Sequence, residues 1–146
     1  MFNEAPLWTN DAIYESLHSN TKIKLVCSSV DKLDQATQIQ LIDFPDTPVI
    51  VAVQGEQIIL SVLLWPLSGV ENRVELDELL LTKSKEIPLS SFGIIDHLDE
   101  RYYELFGALS AKAGESLTTI SDISIELDVL ARNISGALDL IMSVEG

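Results

Sequence analysis

The chain has 146 residues, a length typical of one domain built around a single hydrophobic core. Lys and Arg number 9 against 23 Asp and Glu, which gives a net charge of −14. This charge repels phosphate backbones and anionic lipid headgroups, so it argues against nucleic acid and membrane surfaces as partners. Apolar residues make up 47% of the chain, which argues against disorder. We predict a single domain over residues 1–146.

The cysteine content and the first residues indicate the compartment. Cys27 is the single cysteine, so it has no partner within the chain for a disulfide, as is usual in reducing compartments. The first eight residues carry no basic segment followed by an apolar one, and signal peptides require both. No apolar run reaches the length that a transmembrane helix needs. We predict a cytoplasmic protein without direct membrane insertion.

The first quarter of the chain predicts a helix and then one or two strands. Thr9 is the expected N-cap of a helix that ends near His18. Ile23, Leu25 and Cys27 alternate with other residues, which predicts a strand with these three side chains buried. A further strand is expected over residues 37–44. Whether that segment forms a separate strand stays open at this point.

A β-hairpin is predicted over residues 49–65. Two apolar runs, at residues 49–53 and 58–65, flank Gly55, which is suited to the positive φ of a tight hairpin turn. Both runs are apolar at alternate and at intervening positions. Strands of this kind are covered on both faces, so the second face of the sheet is expected to lie against more chain or a second subunit.

The second half of the chain predicts two helices and a second hairpin. Asn72 is the expected N-cap of a helix over residues 73–86, which Pro88 ends. Strands are expected over residues 89–95 and 101–109, joined by a polar turn. A long amphipathic helix is then predicted from Ile120, with Thr118 or Thr119 as N-cap. Its solvent-facing side is expected to hold Asp122, Glu126, Asp128, Arg132 and Asp139.

These elements define the expected fold class and leave little room for catalytic chemistry. We predict an α+β fold with three helices and an antiparallel sheet of five to six strands. His18 and His97 lack the spacing of metal ligands, and no phosphate-binding, dinucleotide or hydrolase motif is present. Cys27 is interpreted as a core residue. The prediction is therefore a protein with no catalytic residue, no metal, no cofactor and no enzymatic activity.

Short segments of the chain resemble the YjfI family of bacterial proteins. They are LWP (residues 64–66), PLSSFG (88–93) and YYELFGALS (102–110), together with the start at Trp8 and Thr9. The resemblance implies no chemistry, but members of that family are encoded beside a homologue of phage-shock protein A, which implies a role in envelope stress. Separately, the order of elements is similar to the α-β-β-β-α-β-β-α order of class I type III secretion chaperones, which are small acidic homodimers that hold other polypeptides. Our predicted order contains one strand more.

Three functional hypotheses follow, the third of which is regulatory and has the acidic surface bind a basic, phage-shock-like partner. The first is a noncatalytic, dimeric, chaperone-like module in which one face of the sheet forms part of a subunit contact or of a groove for a partner polypeptide. That face carries either Ile59, Leu63 and Trp65 or the alternate set, and further candidate contact residues are Tyr102, Tyr103 and Phe106. The alternate set is Ile58, Leu60, Val62 and Leu64. The second hypothesis is a small-ligand protein or enzyme with an acidic site near residues 96–104, formed by Asp96, Asp99, Glu100, Arg101 and Glu104.

Overall fold

One antiparallel sheet and three helices make up the part of the chain that the computed structural model describes, which is residues 6–112 and 118–145. The helices are α1 (Asn10–Ser19), α2 (Arg73–Lys83) and α3 (Ile120–Glu145). The strands are β1 (Cys27–Lys32), β2 (Thr37–Leu41), β3 (Val49–Gln54), β4 (Gln57–Pro66), β5 (Ser91–His97) and β6 (Glu100–Ser110). The predicted α+β class with an antiparallel sheet is confirmed, and residues 37–41 form a strand of their own.

The sheet has the strand order β1-β2-β3-β4-β6-β5. The predicted hairpin of β3 and β4 is confirmed, because Gln54 pairs with Gln57 and Gly55 lies between them at φ 61°. The second hairpin is tighter than expected, since its turn consists of Leu98 and Asp99 alone. Four strands precede α2, so the order differs from the chaperone order by one strand, as the sequence predicted.

The hydrophobic core lies between the sheet and the helices. Alternate strand residues enter it, among them Val51, Leu60 and Leu105, each fully buried. All three helices pack on this side: Ile13 and Leu17 come from α1, and the core residues of α2 and α3 lie beside them. The core residues of the last two helices are Leu76, Leu80, Ile123, Leu127, Leu130, Ile134, Ala137 and Ile141. We call this the helix face of the sheet.

Both predicted helix caps at Thr residues form. Thr9 Oγ1 accepts a hydrogen bond from the backbone N–H of Ala12 at 3.1 Å, which begins α1. At the start of α3, the N–H of Thr119 donates to Asp122 Oδ2 at 2.8 Å, and the N–H of Asp122 donates back to Thr119 Oγ1 at 3.3 Å. This reciprocal pair satisfies two N–H groups that a helix start otherwise leaves unpaired.

The predicted strand at Ile23, Leu25 and Cys27 is wrong in its first half. Residues Ile23–Leu25 form a 3₁₀ turn, and Leu25 is 79% exposed. The strand begins only at Cys27, because the ladder of β1 starts where Cys27 pairs with Leu41. Cys27 itself is buried, as expected, and burial raises the pKa of its thiol.

Smaller corrections concern the ends of the later elements. The helix predicted over residues 73–86 ends at Lys83, and a 3₁₀ turn, Ser84–Glu86, follows it. The strand predicted from residue 89 begins at Ser91, since Leu89 has a φ of 61° and therefore lies outside extended geometry. A local backbone turn thus ends the helix earlier, and starts the strand later, than the apolar pattern indicates.

Glu126 does not lie on a fully solvated side of α3, contrary to the sequence-based expectation. Its Oε1 is buried, and it has no hydrogen-bond partner among the residues described. The side chain rests on Gly107 of β6, where an added β-carbon would lie 1.9 Å from Oε1. Burial raises the pKa of Glu126. The missing side chain at Gly107 is thus what leaves room for Glu126 of α3 against the sheet.

Candidate functional site

The second face of the sheet, opposite the helices, is the main candidate site, and we call it the open face. Strand pairing sets its rows of side chains: Ile50 of β3 pairs with Ser61 of β4, which pairs with Phe106 of β6. The next row along the strands contains Ala52, Ile59 and Ala108. None of these six residues belongs to the core cluster between sheet and helices.

Apolar side chains on the open face differ in how far their neighbours within the sheet cover them. Ile50 is 7% exposed and Leu63 is 3% exposed, although both lie outside the core under the helices. Ile59 and Phe106 are partly exposed. Partly exposed apolar side chains that lie together on a sheet face can mark a contact with another molecule.

One carboxylate is buried among these side chains. Glu104 of β6 is 7% exposed, and it stands between Leu63 of β4 and Gly93 of β5 in the strand register. The hydroxyl of Ser61 donates a hydrogen bond to Glu104 Oε1 at 3.4 Å. Burial raises the pKa of Glu104, and the hydrogen bond from Ser61 opposes that effect. The Glu104 carboxylate is therefore poorly solvated, and the single hydrogen bond from Ser61 compensates only weakly for the lost water.

Gly93 makes the space for this carboxylate. A β-carbon at position 93 would lie 3.1 Å from the ring of Phe106 and 3.3 Å from Glu104 Cγ. Both distances are shorter than ordinary van der Waals contact between carbon atoms. The absence of a side chain at residue 93 thus lets the Phe106 ring and the Glu104 chain lean over β5.

A second apolar surface lies between α2 and the edge strand β5, and we call it the edge groove. It has a volume of about 270 Å³ and is lined by Asp77, Leu80, Leu81, Phe92, Gly93, Ile94 and Tyr103. Leu81 is 75% exposed and Ile94 is 41% exposed. At its base, the hydroxyl of Tyr103 donates to Asp77 Oδ1, and burial is the main cause that raises the pKa of Tyr103.

The residues predicted to contact a partner are divided between the two faces. Ile59, Leu63 and Phe106 lie on the open face, and Tyr102 lies there too, with its hydroxyl donating to Glu100 Oε2 at 3.3 Å. Tyr103 is 2% exposed in the core. Trp65 follows a bulge in β4 and pairs with Tyr103 on the helix face. The alternate set, Ile58, Leu60, Val62 and Leu64, lies in the core under the helices.

The five charged residues predicted as an acidic site at positions 96–104 are only partly brought together. Asp96 Oδ1 lies 3.1 Å from Arg101 Nε in an exposed ion pair on the helix face. Glu100 Oε1 accepts a hydrogen bond from Ser68 at 2.8 Å, and Glu104 is buried on the open face. Asp99 belongs to the hairpin turn. Asp99, Glu100 and Arg101 line one surface pocket together with Leu67, Ser68 and Arg73. Glu104 does not line this pocket.

The two histidines contact aromatic rings. His18 stacks on Tyr14 with 5.4 Å between ring centroids, and His97 meets Tyr102 edge-on at 6.4 Å. Across the described ranges, no group of three or more His, Cys, Asp or Glu side chains is placed to hold a metal ion. No helix in those ranges combines the length and apolar character needed to cross a membrane.

Sequence reasoning missed Glu104 as a buried group and missed the role of Gly93. The two-residue period of a strand places residues 102, 104 and 106 of β6 on one face, which the sequence could have indicated. The pairing of Gly93 with Glu104, however, depends on the register between β5 and β6. That register is set by the turn at Leu98 and Asp99.

Comparison with known proteins identifies a family and a fold. A model of the family described as "Uncharacterized protein conserved in bacteria (DUF2170)" matches residues 7–144. The protein YjfI of Escherichia coli K12 is 34% identical over 111 residues, which cover 76% of this chain and 77% of YjfI. The same values hold for YjfI of E. coli O157:H7. The predicted resemblance to the YjfI family is thereby confirmed.

Three solved structures share the fold at 12% sequence identity. A chain of the ExsC–ExsE complex matches with a TM-score of 0.62, covering 90% of this chain and 95% of that one. E. coli YbjN, a proposed transcription regulator, matches with a TM-score of 0.62, covering 97% of this chain and 94% of YbjN. The HopA1–SchA chaperone–effector complex matches with a TM-score of 0.55, covering 92% of this chain and 99% of that chain. The chaperone-like fold is confirmed.

Proposed function

The chain belongs to the bacterial DUF2170 family, and we propose that the protein is a noncatalytic, chaperone-like module that binds another polypeptide through the open face. The observation that carries the proposal is the apolar open face around Ile59, Leu63 and Phe106, over which no described helix packs and on which Ile59 and Phe106 stay partly exposed. Partly exposed apolar side chains cost free energy in water, so a partner that covers them gains affinity.

The fold comparisons support a protein as the partner. Two of the similar structures are complexes with another protein, namely ExsC–ExsE and the chaperone–effector complex HopA1–SchA. At 12% identity the likeness concerns the fold, and the open face supplies the local reason for the same kind of function here. No convergent catalytic group among the described residues competes with this proposal.

A paired capture experiment tests the binding function. Wild-type protein and the Ile59→Asp variant, each with the same affinity tag, are used in parallel to isolate bound proteins from the native cells. We expect a partner that co-purifies with wild type and is lost from Ile59→Asp, because a carboxylate in the patch opposes apolar burial. Circular dichroism and thermal unfolding of the variant verify that it is folded. Identical bound proteins for both forms would contradict the proposal.

The proposal includes a homodimer that forms through the edge groove. β5 pairs with β6 and with no other described strand, so its outer edge is open to a further strand apart from Phe92, whose N–H donates to Ser84 Oγ at 3.5 Å. Leu81 and Ile94 lie beside that edge and are 75% and 41% exposed. A second copy that binds here would satisfy the edge and bury both side chains.

Sedimentation velocity at micromolar concentration tests the dimer. We expect a dimer for wild type and a monomer for Leu81→Glu. Val74→Glu is the matched control, since Val74 is an 83% exposed residue of the same helix outside the groove, and we expect it to stay dimeric. A monomeric wild type, or equal behaviour of the two variants, would contradict this part of the proposal.

The identity of the partner is a separate part of the proposal. The family resemblance leads us to propose a phage-shock protein A-like partner and a role in envelope stress. Mixing the purified proteins and measuring binding by calorimetry tests this directly. We expect a complex that weakens with added salt, because the chain carries a net charge of −14 and screening reduces attraction to a basic partner. Absence of a complex at low salt would exclude this partner.

A further inference from the structure

We propose that the segment bound by the open face carries a Lys or Arg between apolar residues, and that Glu104 binds this cation. The inference rests on the proposed function and adds the chemistry of the partner to it. It derives from two features of the open face. One is the incomplete hydrogen bonding of Glu104, and the other is the distribution of charged residues among the strands. Together they also argue against a second copy of the chain on this face.

Glu104 lacks most of the hydrogen bonds that a buried carboxylate needs. A carboxylate accepts about four hydrogen bonds, whereas the described structure gives Glu104 one, from Ser61 at 3.4 Å. Its neighbours across the strands are Leu63 and Gly93, and the Phe106 ring lies beside it. Only 7% of the residue is exposed. Covering this patch with a purely apolar segment would remove the remaining water and leave a buried, nearly unpaired charge.

The described strands place no Lys or Arg on the open face. The ionisable strand residues there, read from the pairing register, are Asp31, His97, Glu100, Tyr102 and Glu104. The cations in the strands point to the helix face: Lys32 bonds Asp11 of α1 at 2.7 Å, and Arg101 pairs with Asp96. A cation that neutralises Glu104 in a complex therefore comes from the partner.

The same charges disfavour a second copy of the chain on this face. A two-fold contact would place Asp31, Glu100 and Glu104 against an identical set without any Lys or Arg from the strands. Each copy also carries a net charge of −14, so like charges would meet in a desolvated contact. A different polypeptide with an apolar and basic segment matches both the patch and its carboxylate.

Selection from a displayed library of random peptides tests the inference. Wild-type protein and the Glu104→Gln variant are used as separate targets, and Glu56→Gln, which changes an exposed acid of the β3–β4 turn, is the matched control. We expect the wild type and the control to enrich peptides with a Lys or Arg flanked by apolar residues. Against Glu104→Gln this basic preference is expected to disappear, since the amide carries no charge.

The enriched peptides are then synthesised and their dissociation constants measured by fluorescence anisotropy. We expect at least about a tenfold weaker Kd on Glu104→Gln, and a similar loss when the basic residue of the peptide is replaced by Gln. The two losses are expected not to add, because both changes remove the same ion pair.

The outcomes separate the inference from the function on which it rests. If no peptide is enriched, or if enriched peptides bind Ile59→Asp as tightly as wild type, the proposed function of the open face fails and the inference fails with it. If peptides depend on Ile59 but show no basic preference, or bind Glu104→Gln with unchanged Kd, the inference alone is overturned and the binding function stands.

Discussion

The carboxylate of Glu126 on α3 occupies the place where a side chain at Gly107 of β6 would begin. An added β-carbon at residue 107 would lie 1.9 Å from Glu126 Oε1 and 2.8 Å from Glu126 Cδ. Oε1 is buried without a hydrogen-bond partner in the described structure. Glycine at this point of the sheet thus permits α3 to bury an acid that neighbouring residues do not compensate.

This burial predicts a specific pH dependence of stability for Glu126→Gln. Because burial raises the pKa of Glu126, the folded state binds the proton more tightly than the unfolded state. The stabilisation from this proton is complete below the unfolded-state pKa, about 4.3, and is lost as the pH rises through the raised folded-state value. We expect Glu126→Gln to match wild type at low pH and to exceed it by about 0.5–1 kcal/mol at neutral pH, allowing for partial exposure.

Urea denaturation of both proteins across this pH range measures the difference in the free energy of unfolding. The Gly107→Ala background provides the control, since its methyl group forces the Glu126 carboxylate outward into water. In that background the benefit of Glu126→Gln should shrink, because the two residues are in contact and their effects are coupled. A gain that is equal at all pH values, or unchanged by Gly107→Ala, would disagree with this explanation.

Truncation of two adjacent residues of β4 is expected to lower the free energy of unfolding by different amounts. Leu60 is fully buried under the helices, so Leu60→Ala is expected to lower the free energy of unfolding by about 2–5 kcal/mol. Ile59 lies on the open face, and Ile59→Ala is expected to cost less than about 1.5 kcal/mol. Chemical denaturation of the two single variants checks this contrast. Equal losses would mean that the open face is covered in the free protein.

The sequence could predict the presence of these strands but not which residues face the helices. In β3 and β4 both sets of alternate positions are apolar, so periodicity gives no preference between Ile59 and Leu60. The choice is made by long-range packing against α3, which a local pattern does not contain. The sequence therefore predicted two apolar faces correctly and left their assignment open.

Each residue that the sequence placed wrongly has a physical reason in the structure. Leu25 alternates correctly with Cys27, yet a 3₁₀ turn precedes the strand and leaves Leu25 79% exposed. Glu126 fits the polar side of α3 by its spacing, but Gly107 lets the helix approach closely enough to bury its carboxylate. A local turn overrides the alternation at Leu25, whereas a tertiary contact overrides the spacing at Glu126. The buried Glu104 was missed for the second of these reasons, since Leu63 and Gly93 reach it only through strand pairing.

The turn between β5 and β6 predicts a stabilising substitution. Leu98 and Asp99 have φ values of 50° and 64°, and positive φ at both positions is typical of a type I′ hairpin turn, which favours Asn at the first position. Leu98 is 85% exposed, so its side chain contributes little packing. We expect Leu98→Asn to raise the free energy of unfolding by about 0.5–1 kcal/mol, because Asn tolerates this backbone conformation better.

Leu98→Val is the matched control, since a β-branched side chain is still less compatible with positive φ. It should lower the free energy of unfolding, so the two variants should shift the midpoint of denaturation in opposite directions. Shifts of the same sign for both would show that the backbone conformation of residue 98 does not limit the stability of this hairpin.

The position of α3 in the chain has a consequence for biosynthesis. α3 packs on β4 and β6, and all six strands precede it in the sequence. On the ribosome, the sheet therefore emerges before the helix that shields most of its core, and for that interval it presents two apolar faces rather than one. Nascent chains in this state are open to self-association and to capture by folding factors, so this protein is most vulnerable just before its last helix has been translated.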